Sequence, residues 1–304
     1  MKKNLLLCML LACAAPAADL APGKSVFGEH NYIEYIPGDL PLVVCSPHGG
    51  RLTPEDIPDR TGGVVQPDVN TQELARAFAE VVHARTGHHM HLIISNLHRK
   101  ELDPNREIEE AAQGSPIAQK AWNEYHGFIA QACAATVKQY GVAFFIDLHG
   151  QSHPDVRVEL GYQHSAKDLA ASDEQLNGPS FVAKSSIQLI AKRSDEPYSQ
   201  LVRGPASLGA LLEKRGFFAA PSPRMPSPQE PFFTGGYTVR RYCLAKEHVT
   251  GLQIETYKPK LRDTKESRQK FAEALVDVLE EYLPARLALQ LNGTAVTSKA
   301  KAAR

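Results

Sequence analysis

The sequence predicts an α/β fold built on a mainly parallel sheet, and three observations carry that reading. Short apolar runs at 41–46, 91–95 and 143–149 alternate with longer stretches of helical period, the order that parallel sheets require. Two of these runs pass into His-Gly, at Val44-Cys45-Ser46-Pro47-His48-Gly49 and at Ile146-Asp147-Leu148-His149-Gly150. With 304 residues, 43% of them hydrophobic, the chain can bury one large core, and no internal repeat or long linker divides it. Residues 25–290 therefore read as a single domain.

Residues 41–46 form a central strand. Thr71-Gln72-Glu73-Leu74-Ala75 opens a helix whose apolar positions recur at helical spacing, with Asn70 or Thr71 as its cap. A second strand at 91–95 leads into Asn96-Leu97-His98-Arg99. Ser115-Pro116 starts a long amphipathic helix that Gly141 stops after Tyr140, returning the chain to the strand that ends at His149. Arg157 to Tyr162 reads as a short strand, followed by helices near 181–193 and 205–215. Residues 219–237 hold Pro221, Pro223, Pro226, Pro228 and Pro231 and close with Gly235-Gly236-Tyr237, which predicts an ordered, irregular loop covering a site. Val249 to Thr256 is a further buried strand carrying Glu255, 264–283 a packing helix, and 291–304 a frayed tail.

The first 18 residues carry an address. Lys2 and Lys3 precede the apolar run Leu5 to Ala12 and small residues through Ala18, a secretory signal too short to span a membrane. Leu10-Leu11-Ala12-Cys13 resembles a lipobox, and Ala15-Pro16-Ala17 offers ordinary cleavage. Either way the expected location is the cell envelope, the periplasm or outside the cell, with membrane contact only through a lipid on Cys13. Cys45, Cys133 and Cys243 remain after cleavage, an odd number that supports no disulfide framework. Cys45 reads as a small hydrophobe rather than a nucleophile. Lys+Arg and Asp+Glu both number 34, so no field points to nucleic acid, and a small molecule or short peptide is the expected partner.

In open α/β sheets ligands bind beyond the carboxyl ends of the strands, so the two histidines meet at one sheet edge, as a metal site needs. A catalytic zinc normally takes three protein ligands, and a carboxylate from Asp68 or Glu73, both at the mouth of the first helix, completes the set. Glu255 ends an apolar run where an ionised carboxylate is unfavourable unless it faces a polar cavity. From there it accepts a proton from metal-activated water and passes it to a leaving amine. Arg99 and Arg106, with Pro104 turning the chain between them, suit an acidic group of the substrate.

Ser-Pro-His-Gly-Gly at 46–50, Asp68 before Thr71-Gln72-Glu73-Leu74-Ala75, Leu102-Asp103-Pro104-Asn105-Arg106, Asp147-Leu148-His149-Gly150, Gly235-Gly236-Tyr237 and Gln253-Ile254-Glu255 stand in one order. In these motifs, over residues 40–260, the chain resembles the N-formylglutamate amidohydrolase family. The resemblance implies a zinc carboxypeptidase-like, three-layer α/β/α sandwich with a mixed, mainly parallel central sheet. It implies zinc on His48 and His149 with Glu255 as general base; Asp68 fits the family's aspartate as third ligand, with Glu73 the alternative, and Arg99 is a further catalytic candidate. Asn105 and Arg106 look like the pair that grips a substrate carboxylate, and Arg99 and Tyr237 are further candidates for substrate binding. One departure is Arg51, which stands where carboxypeptidase-like enzymes carry a glutamate three residues after the first histidine. The expected activity is zinc-dependent hydrolysis of an N-formyl or N-acyl amino acid bearing an acidic group. An envelope peptidase or cell-wall amidase of the same chemistry, or a non-catalytic metabolite-binding envelope protein, are the alternatives.

Overall fold

The computed structural model describes residues 20–296, so the secretory signal and residues 297–304 lie outside the described part. Eight strands form one sheet: β1 (Val26–Phe27), β2 (Ile33–Ile36), β3 (Leu42–Ser46), β4 (His91–Ser95), β5 (Ala143–Gln151), β6 (Val158–Gly161), β7 (Ala219–Ala220) and β8 (Val249–Tyr257). Their order is β1-β2-β4-β3-β5-β8-β6-β7. The central four, β4, β3, β5 and β8, are mutually parallel, while β2 and β6 flank them antiparallel. The sheet is therefore mixed and mainly parallel at its centre. The two N-terminal strands are too short to stand out in the sequence, and pairing along β4 gives them their place.

Helices cover both faces, making three layers, and the alternation of strand side chains assigns each residue to one face. Leu42, Val44, Phe144, Ile146, Leu252 and Ile254 pack beneath the helices Thr71–Thr86 and Lys265–Leu287. Val43, Cys45, Ala143 and Phe145 pack on the other face beneath the helix Pro116–Tyr140. By the same alternation Asp147, His149, Gln253 and Glu255 belong to this second face. The register sets His149 opposite Glu255 across β5 and β8, and Glu255 opposite Glu159 across β8 and β6.

Three local expectations need correction. Asn70 occupies the N-cap position of the first helix with φ 69° but makes no side-chain cap; its amide donates instead to the Arg262 carbonyl at 3.0 Å. The helix expected near 181–193 is two, Pro179–Lys184 and Gln188–Arg193. Between them Ser185 accepts from the Tyr198 hydroxyl at 2.6 Å and the Ser186 N–H donates to the Tyr162 carbonyl, drawing the backbone out of helical register. The tail is ordered as far as residue 296: Leu289 bridges Ala295, and Leu291 is buried against the core, which an apolar residue gains by leaving water. Among the described residues no helix is long and apolar enough to cross a membrane.

Candidate metal centre

The loop after β3 brings Asp68 back to the strand end, where its N–H donates to the His48 carbonyl at 2.9 Å. The Asp68 side chain then meets both imidazoles. Its Oδ2 lies 3.3 Å from His48 Nδ1 and 3.1 Å from His149 Nδ1, and also accepts from the Gly150 N–H at 3.1 Å. The three candidate ligand atoms lie within 4.8 Å of one another, and all three residues are buried. Two ligands each about 2.05 Å from a tetrahedral zinc are separated by about 3.3 Å, so these spacings fit an ion at the centre of the cluster. Two histidines and one carboxylate, with the cavity on the open side, form a donor set suited to catalytic zinc.

Glu73 is not part of this cluster. Its Oε1 pairs with Arg51 Nη2 at 2.6 Å, because the first helical turn carries it toward the exposed rim rather than the strand ends. Arg51 and Glu73 thus form a surface ion pair, and of the two carboxylates expected at this position it is Asp68 that stands with the histidines.

Asp103, from the Leu-Asp-Pro-Asn-Arg run, approaches His48 from behind, with Oδ1 2.7 Å from Nε2. A carboxylate there holds the proton on Nε2 and leaves the Nδ1 lone pair for a metal. Burial raises the Asp103 carboxyl, but His48, Arg99 and Arg106 outweigh it and hold the group well below the usual carboxylate range. His149 Nε2 has Asp147 Oδ2 at 3.0 Å, off the line of a good hydrogen bond, and Asn105 Nδ2 at 3.2 Å. Asp147 also accepts from the Cys45 thiol at 3.1 Å, and burial followed by that carboxylate pushes the thiol well up, so Cys45 is no thiolate. Asp103 and Asp147 touch the two histidines, and motif reading leaves both without a role. The signal for Asp147 is its i, i+2 relation to His149 on one strand face. Asp103→Asn is expected to weaken zinc binding about 10–100-fold, measured by competition with a chelating dye.

Glu255 faces the cluster from β8, its Oε1 4.0 Å from His149 Nδ1 and accepting from Gln253 Nε2 at 2.7 Å. Its Oε2 is buried without a hydrogen-bond partner. Burial pushes its carboxyl up; His149 opposes this, but the like charges of Asp68, Glu159 and Asp147 add to it, and the pKa reaches about 8. The glycine after His149 serves another purpose than ligand approach: the Arg262 guanidinium fills the space a Cβ would take, and its Nη2 donates to the Gln151 carbonyl at 3.0 Å.

A cavity of about 440 Å³ opens over the cluster, walled by His48, Asp68, Arg99, His149, Gln253 and Glu255. Asn105, Arg106 and Tyr237 also line it, so of the candidate ligand, catalytic and substrate-binding residues only Glu73 stays outside this cavity. Their partners differ from expectation. Arg99 Nε donates to Asp103 at 3.0 Å and Nη1 to Asp68 at 3.5 Å, making it a positioning cation behind the cluster. Asn105 Oδ1 accepts from the N–H and hydroxyl of Thr238 at 2.8 and 3.0 Å. Arg106 donates to Glu110 and to the Asn105 carbonyl.

The proline-rich loop forms one wall through Phe233, Thr234, Gly235 and Gly236. A buried pair bolts it down. Arg157 donates to the carbonyls of Gln229 and Pro231 at 3.0 and 2.8 Å and to Glu159 Oε1 at 3.2 Å. Glu159 Oε2 in turn accepts from the Phe233 N–H at 2.8 Å.

Fold and site together define a three-layer α/β/α protein with a His–Asp–His cluster at the carboxyl ends of its parallel strands. Two solved structures share the fold. N-formylglutamate amidohydrolase from Ralstonia eutropha superposes with a TM-score of 0.51 at 16% identity, covering 83% of this chain and 96% of that one. A gene product of Agrobacterium tumefaciens superposes with a TM-score of 0.52 at 12% identity, covering 85% and 97%. No family model matches the chain, and no curated protein matches it.

Proposed function

We propose that this protein is a zinc-dependent amidohydrolase acting on an N-acyl amino acid with an acidic group. The observation that carries this reading is the convergence of His48 Nδ1, His149 Nδ1 and Asp68 on one point at the floor of a cavity that Glu255 also faces. The fold shared with the Ralstonia eutropha N-formylglutamate amidohydrolase supports it. His48, Asp68 and His149 would hold the ion, which supplies Lewis acidity toward an amide carbonyl and acidifies water. Glu255 takes the proton of the attacking water and delivers it to the leaving nitrogen, a role its place facing the cluster at the cavity floor allows. Asp103 and Arg99 keep His48 and Asp68 in place throughout.

Purified protein is expected to contain about one zinc per chain and to lose hydrolysis of N-formyl and N-acetyl amino acids on dialysis against a chelator, with recovery on adding zinc. Full turnover in demonstrably metal-free protein would remove the mechanism. A second reading, a short-peptide or cell-wall amidase of the same chemistry, is favoured by the exposed side chains of Val64 and Phe233 at the cavity rim, which suit a larger apolar group. Location in the cell envelope belongs to the same proposal and rests on the Lys2 to Ala18 signal.

A further inference from the structure

Four arginines stand at or behind the cavity, and three are engaged. Arg99 is held by Asp103 and Asp68 and is 8% exposed. Arg262 is buried behind Gly150 on backbone carbonyls. Arg106 pairs with Glu110 at 3.1 Å and with the Asn105 carbonyl at 2.8 Å. Asn105 is itself committed to Thr238 and His149. The Asn105–Arg106 pair therefore meets most of its needs within the protein.

Arg240 differs from all three. It lines the cavity and is exposed, and among the described residues no carboxylate pairs with it and no side-chain hydrogen bond engages it. Its guanidinium carbon lies 5.7 Å from the centre of the Tyr237 ring. Its neighbour Arg241, by contrast, bonds the Tyr237 hydroxyl and sits against Trp122 and Tyr242. The backbone leading to Arg240 is fixed. The Gly236 N–H donates to Gln253 Oε1 at 2.5 Å, a Cβ at Gly236 would strike the Asn105 amide, and Thr238 is held by Asn105. The first turn of the helix Tyr237–Tyr242 is thus tied to β8 and to the segment behind the metal ligands, so Arg240 is presented from a rigid base.

We propose that Arg240 is the receptor for a carboxylate of the substrate and makes the site selective for acidic N-acyl compounds. The proposal rests on the amidohydrolase reading for what the bound molecule is, and on the unpaired guanidinium for where its charge goes. A guanidinium resting on an aromatic face keeps a rigid fork of donors free for a carboxylate. Asn105 then serves to hold the loop through Thr238, and Arg106 contributes only charge.

The test is calorimetric titration of the zinc-loaded full chain with glutarate and with glutaramide at low ionic strength. Wild type, Arg240→Met, Arg240→Lys and Arg106→Met are compared, with zinc content and Tm recorded for each. Wild type is expected to prefer glutarate by about tenfold or more, as charge-assisted hydrogen bonds imply. The preference should fall below about threefold in Arg240→Met, return in part in Arg240→Lys and survive in Arg106→Met. Because every variant keeps the zinc ligands, a loss specific to Arg240 separates the guanidinium from any carboxylate contact with the metal. No preference in wild type, or a loss that follows Arg106 instead of Arg240, overturns the proposal. Hydrolysis of N-formyl-L-glutamate by the same preparations separates the two readings. Arg240-dependent binding without turnover would retain the receptor and remove the hydrolase, whereas turnover indifferent to Arg240 would do the reverse.

Discussion

Glu255→Gln is expected to lower kcat by about 10²–10⁴-fold, the usual contribution of a positioned general base, while leaving zinc content unchanged. Glutamine keeps the shape of the side chain and its bond with Gln253 but cannot accept the proton of water. The same substitution has a signature in the metal-free protein. The Glu255 pKa is raised from 4.5 to about 8 in the folded state, so between those values the native state holds a proton that the unfolded chain releases. Stability therefore falls as pH rises from about 4.5 toward about 8, by a few kcal/mol at most. Glu255→Gln removes the Glu255 part of that slope, while His149, whose pKa burial lowers but Asp147 and Asp68 raise on balance, keeps a part of the same sign. Urea denaturation of the metal-free protein at pH 5 and pH 8 measures it: wild type should weaken between the two and the variant should weaken less. Equal pH sensitivity in both would place the buried proton elsewhere, and a kcat within about threefold of wild type would take Glu255 out of the base role.

Arg157→Leu is expected to cost about 3–5 kcal/mol of stability, because it leaves the buried Glu159 carboxyl with His153 but without its guanidinium and strips donors from the Gln229 and Pro231 carbonyls. Denaturant titration of the chain reads this directly. Arg157→Leu with Glu159→Leu should recover part of the loss, since no charge is then stranded. A double variant no better than the single one would show that anchoring of the loop outweighs the stranded carboxylate.

His48, His149 and Glu255 are legible in the sequence because each closes an apolar run, and strand alternation with parallel order sends such residues to one edge. Asp68 and Glu73 are not separable that way. Both are acidic residues at a helix start, and the distinction lies in a twenty-residue loop without period, whose closing bond from Asp68 to the His48 carbonyl only the fold displays. The Asn105–Arg106 motif is visible in the chain, whereas its internal partners Thr238 and Glu110 come from separate segments. Arg240 escapes for the opposite reason, since lacking a partner is a property of three-dimensional surroundings. Arg157 and Glu159 read only as a short strand because the loop they bolt is some seventy residues further on.

The row His149, Glu255, Glu159 across β5, β8 and β6 has a consequence for how this protein tolerates change. Side chains alternate with a period of two, so one residue added or lost in β8 ahead of Glu255 would turn that carboxylate to the opposite face. Leu252 and Ile254 would be turned with it, out of the apolar layer they now fill. Folding and chemistry thus share one reading frame in β8: the hydrophobic pattern that keeps the strand from slipping also keeps Glu255 aimed at the cluster. Length variation should therefore collect in the loops after the strands, where the cavity can be reshaped without disturbing its floor.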